Sequence, residues 1–74
     1  MPLSYERLGE YIAALTRLRQ ETENRVSSLS SGACRVHMDG EDVTDKSLST
    51  ARIEVAQLDW LIDQLTKGQD AQRP

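Results

Sequence analysis

Apolar side chains recur along this chain at helical spacing in two stretches and at a spacing of two in the short segment between them. The first stretch carries Leu8, Ile12, Leu15, Val26 and Leu29 on one stripe, with Tyr11 and Leu18 at its side when positions advance by about 100° per residue. Arg19 and Thr22 interrupt that stripe. The polar run 20–25 nevertheless keeps opposite charges at i, i+4 in Arg17/Glu21, Arg19/Glu23 and Glu21/Arg25, which supports a continuous helix over about 5–30. Ser4 is its expected N-cap and Glu6 suits the positive end of its dipole. The serine-rich run 27–31 and Gly32, a residue that adopts the left-handed backbone freely, mark its end.

The second stretch is the cleaner one. Leu48, Ala51, Val55, Leu58, Ile62 and Leu65 alternate steps of three and four without a polar interruption, the heptad seam of a coiled coil, and Leu61 widens it on one side. Asp45 or Ser47 is the expected cap, and Lys67 with Gly68 the expected stop, which leaves 69–74 as a flexible tail.

Between the helices, Cys34, Val36 and Met38 alternate with Arg35 and His37, and Asp39-Gly40 follows, the pair that favours a two-residue type I′ turn. Pairing across it sets Met38 opposite Glu41, His37 opposite Asp42 and Val36 opposite Val43. So short a ribbon needs its apolar side, Val36, Val43 and Cys34, covered by the helices or by another subunit; an irregular loop with a tight turn is the alternative. The fold class that emerges is mostly α, an antiparallel two-helix hairpin with a short β-hairpin over about 33–44 between the helices, in a single helix-hairpin-helix domain over 1–68.

Folding the stripes together pairs Leu29 with Leu48, Val26 with Ala51, Thr22 with Val55, Leu18 and Arg19 with Leu58, Leu15 with Ile62, and Tyr11 and Ile12 with Leu65. Arg19 then lies beside Leu58 at a level near Asp59 and Asp63, where it either receives a carboxylate at the seam's edge or extends to solvent over its packed stem. Ile53 and Trp60, seven apart, project roughly 160° from the seam and are left outside by that folding. Ordinary surface exposure would explain either alone. Stacked on one face of so small a chain, they are the candidate contact surface, together with Arg19, Val36 and Val43.

Composition sharpens this picture. Seventy-four residues with 38% apolar side chains, no Phe and three aromatic residues (Tyr5, Tyr11, Trp60) make one small domain that buries little of its surface alone, so self-association or a larger protein partner is expected. Nine basic against twelve acidic side chains, net -3 and dispersed, argue against nucleic acid. The first residues lack a basic-then-apolar pattern and no apolar run approaches about 18 residues, so neither signal peptide nor membrane span is expected. One cysteine forms no intrachain disulfide, and a cytoplasmic setting follows as the expectation.

Candidate chemistry is sparse. Cys34 and His37 supply half of a tetrahedral metal set and, on a strand, point to opposite faces; Cys34 reads as a small buried hydrophobe instead. The acidic run 39–45 has its glycine at the second position rather than the sixth and Thr50 where a calcium loop needs glutamate. With no phosphate loop and no nucleophile-base set, neither enzyme activity nor a cofactor is expected.

Gly32, Val36, Asp39-Gly40, Val43 and the seam from Leu48 to Leu65 follow the order long helix, glycine, strand, tight turn, strand, helix. Over about the last half of the chain this order resembles the small head-tail joining proteins of tailed phages, the lambda protein W type. The resemblance implies a non-enzymatic fold of two helices with a β-hairpin that completes the capsid portal as a ring. The favoured expectation is a non-catalytic assembly module acting through its helix faces. A phage structural role is one alternative, and a small regulator that binds a host protein or an anionic ligand through Arg19, Arg35 or Tyr11 is another.

Overall fold

The computed structural model describes residues 4–72. Four elements follow in order: helix α1 (Tyr5–Ser30), strands β1 (His37–Met38) and β2 (Glu41–Asp42), and helix α2 (Thr44–Ala71). Ser4 caps α1 as its sequence position suggests, its hydroxyl accepting the Arg7 N–H at 3.2 Å. At the other end the serines prolong the helix by returning their hydroxyls to its own carbonyls, Ser30 to Ser27 and Ser31 to Ser28, both at 3.3 Å. The chain then turns at Gly32 (φ +81°), where the Gly32 N–H donates to Leu29 O and the Cys34 N–H to Ser28 O.

The hairpin adopts the expected register, with His37 paired to Asp42 and Met38 to Glu41. Asp39 (φ 52°) and Gly40 (φ 82°) both take the left-handed backbone that a type I′ turn requires. The Val43 N–H donates to Val36 O at 2.8 Å, so the two valines sit side by side. Regular strand extends no further than two residues on each side.

Helix α2 departs from expectation at both ends. Neither Asp45 nor Ser47 caps it, because Asp42 already supplies the acceptor: its Oδ1 takes the Thr44 N–H at 2.9 Å, and the helix starts at Thr44. Nor does it stop at Gly68. No Cβ partner lies within 4 Å of that glycine, its φ is not left-handed, and the helix runs on to Ala71. The stretch 69–71 is therefore helix rather than tail; Arg73 and Pro74 lie outside the described residues. Gln69 explains the extension, since its amide Nε2 donates to Tyr5 O at 3.3 Å and sits 3.0 Å from where a Cβ on Gly9 would be.

The contacts of Arg19 with Asp59, Arg25 with Glu54 and Tyr5 with Gln69 run in opposite directions along the two helices, so α1 and α2 are antiparallel. Ala51 (0% exposed), Leu29 (4%) and Leu8 (5%) are the buried apolar residues, and Thr22 (7%) is buried with its hydroxyl on Leu18 O at 2.9 Å. The remaining seam positions, Ile12, Leu15, Val26, Leu48, Val55, Leu58, Ile62 and Leu65, are only half-buried. The cause is the shape: the molecule measures 54 × 21 × 14 Å, a single layer of two helices, and one layer encloses no core.

Candidate interaction surface

On α2, Ile53 is 58% and Trp60 65% exposed, and with Ala56, Gln57 and Leu61 they form a shallow apolar depression on the helix's outer side. Ala56 is the small residue between the two large ones, and Gln57 follows it on the next step round the helix. This is the arrangement the seven-residue spacing predicts: a side chain opposite the seam has nothing in this chain to rest on.

Arg19 stands at one edge of the helix pair, half-buried. Its Nε donates to Asp59 Oδ1 and its Nη2 to Asp59 Oδ2 at 3.3 Å, and Nη2 also forms an ion pair with Glu23 at 3.0 Å. The hydrogen bond to Asp59 raises the pKa of the guanidinium above the ordinary arginine value. Of the two carboxylates considered for Arg19, Asp59 takes it, while Asp63 pairs with Lys67 at 3.0 Å. Arg25 does not close on Glu21 within its own helix; it crosses to Glu54 of α2 at 2.6 Å.

Val36 and Val43 are half-buried and line a groove at the hairpin end with Leu29, Met38, Ser47 and Thr50. Cys34 lines this groove but is exposed, so the expectation of a buried cysteine is corrected: the residue belongs to the loop leaving α1, held there by its backbone rather than by packing. Arg35 on the other side of the hairpin pairs with Asp42 Oδ2. The Asp42 carboxyl is held well below the usual carboxylate range, first by the Thr44 hydroxyl (2.5 Å) and N–H, then by Arg35. The Thr44 hydroxyl in turn accepts the Val36 N–H at 2.9 Å. Thr44, 2% exposed, thus ties β1, β2 and α2 together; its hydroxyl carried no sequence signal beyond its place after a turn.

The structure separates the candidate residues. Ile53 and Trp60 share the outer side of α2, Val36 and Val43 the hairpin groove, and Arg19 an ion-paired edge. Both arginines considered for an anionic ligand, Arg19 and Arg35, have carboxylate partners within the chain. Three further large apolar side chains stay exposed although they flank the stripes, Tyr11 (49%), Leu18 (48%) and Leu61 (37%). Their offset from the seam in the helical count was the available signal.

Among the described residues no three His, Cys, Asp or Glu side chains are grouped to hold a metal, and no helix is long and apolar enough to cross a membrane. No family model, no curated protein and no solved structure matches the chain.

Proposed function

We propose that this chain is a non-catalytic assembly module that joins copies of itself, or a larger protein, through its helix faces. The observation that carries the reading is the exposure of Ile53 and Trp60, side by side on the side of α2 that faces away from α1. Burying a large apolar side chain is worth about 1.5–3 kcal/mol, and a Trp set beside a small-residue depression is the kind of anchor that dominates protein interfaces. The helix-hairpin-helix order is also compatible with the ring-forming role that the phage resemblance implies.

Native mass spectrometry of the protein purified from its own cells tests this reading. The chain is expected in a complex, and Trp60→Ala is expected to remove at least one subunit from it. A bare, folded monomer in both forms would overturn the reading.

A further inference from the structure

The two long edges of the helix pair differ in chemistry. One is closed by polar links, Arg19 to Asp59 and Gln69 to Tyr5 O. On the other, marked by Arg25 and Glu54, the helical count places Tyr11, Ala14 and Leu18 of α1, with Arg7 beside them, and Leu61 of α2. Beyond the Arg25–Glu54 pair the hairpin groove continues the same edge with Leu29, Val36 and Val43, and Met38 (64% exposed) overhangs it. That edge therefore presents an apolar area on the helices and, beyond one ion pair, a groove with an apolar floor whose lining also includes Asp39, Glu41 and Lys46.

We infer that a second copy of this chain covers this edge, giving a two-fold pair of helical hairpins. The inference rests on the assembly reading but uses a neighbouring surface, which shares Leu61 with the Ile53/Trp60 depression and leaves Ile53 and Trp60 themselves uncovered. Area is the first argument. The chain exposes 5568 Å², whereas a compact chain of this length exposes about 4,600 Å², and the excess of about 1,000 Å² matches what one partner contributes to a standard protein interface. The radius of gyration points the same way, 16.1 Å against about 11 Å for a compact domain of this length. A second layer of two helices supplies the enclosed core that one layer lacks.

Charge selects a copy of the same chain as occupant. A two-fold contact sets a patch against itself, which brings like charges together unless the patch is neutral. Tyr11, Ala14, Leu18 and Leu61 are uncharged and Arg25 is paired with Glu54, while Asp59, Asp63 and Lys67 stand on the other side of α2. The hairpin groove carries Asp39, Glu41 and Lys46, and an antiparallel two-fold sets these not against themselves but against the Tyr11/Leu18 area, where Arg7 is opposite in sign to the two acids. An antiparallel two-fold also lays the Tyr11/Leu18 area of each copy over the hairpin area of the other, so the apolar side chains of both areas are covered at once. Ala14, between Tyr11 and Leu18, leaves room for a side chain to enter.

Sedimentation equilibrium of the full chain, read together with the emission of Trp60, its single tryptophan, tests the pair. The wild type and Trp60→Ala are expected to form dimers at micromolar concentration, and Leu18→Glu to raise the dissociation constant at least tenfold. Trp60 emission is expected to stay solvent-like while the dimer forms. Because Leu18→Glu could perturb α1, Met38→Glu on the hairpin serves as a second variant, with helix content checked by circular dichroism; it is expected to weaken the dimer without loss of helix. A wild-type monomer throughout overturns the pair. A dimer that shifts Trp60 emission to the blue, is lost in Trp60→Ala and is indifferent to Leu18→Glu and Met38→Glu also overturns it, while leaving the assembly reading intact.

Discussion

The guanidinium of Arg19 is paired with the carboxylate of Asp59 across the helix pair, forty residues away in the chain. It occupies a position of the α1 stripe that an apolar residue would otherwise fill, and the pair lies at the solvent edge, where Asp59 remains half exposed. A polar residue in a seam characteristically fixes register or partner number at some cost in stability. Arg19→Leu is therefore expected to raise the Tm modestly while broadening the oligomer distribution. Thermal melts and sedimentation velocity of the same sample check both halves, and a lower Tm would show that the ion pair holds the helices together.

Thr44→Val keeps the shape of a nearly buried side chain but removes the hydroxyl that accepts the Val36 N–H and donates to Asp42. Stranding those groups is expected to cost about 1–3 kcal/mol in urea unfolding, with Thr44→Ser recovering part of the loss. An unchanged midpoint would mean that water replaces the hydroxyl without penalty.

The pKa of Asp42 is lowered in the folded chain, so the folded state favours its ionised form. Its contribution is complete above the ordinary carboxylate range and is lost as pH falls through that range toward the lower folded value. Unfolding midpoints between pH 7 and pH 2 should thus decline, and Asp42→Asn should flatten the acid limb while lowering stability at neutral pH. Parallel acid limbs in the two proteins would remove Asp42 as a source of the slope.

Gly68 distinguishes a helix that continues from one that ends. In the left-handed position expected of a helix stop, alanine is strained; inside a helix it is favourable. Gly68→Ala is expected to stabilise by up to about 1 kcal/mol, because it meets no atom within 4 Å. Gly9→Ala is expected to gain less, since its Cβ meets the Gln69 amide at 3.0 Å and that side chain must give way. Guanidinium titrations of the two variants measure the order, and destabilisation by Gly68→Ala would restore the stop at that residue.

Ala51 is fully buried where α1 and α2 approach. Ala51→Leu is expected to force the helices apart and cost about 1–3 kcal/mol, read as an earlier thermal transition. A neutral result would mean that the thin helix pair accommodates the larger side chain by shifting.

Much of the architecture was legible in the sequence because it depends on period and on local backbone preference. The steps of three and four from Leu48 to Leu65 specify a helix wherever it packs. Asp39-Gly40 specifies a left-handed pair of residues and hence the register His37 to Asp42. Opposition of Ile53 and Trp60 to the seam is angular arithmetic, and their exposure follows from it. The ends of α2 were not legible, because they are decided by single side chains whose partners lie elsewhere: Asp42 reaches forward to Thr44, and Gln69 reaches across to Tyr5.

By itself, then, the sequence determined two amphipathic helices, the turn between them and the side of α2 that α1 cannot cover. Only the tertiary structure decided that Arg25 crosses to Glu54 rather than to Glu21, that Cys34 stays exposed, and that one edge of the hairpin closes with polar links while the other leaves Tyr11, Leu18 and Leu61 exposed beside its ion pair. The physical reason is that helix periodicity fixes the direction of each side chain about its own axis. The level and rotation at which two axes meet depend on contacts between residues far apart in the chain.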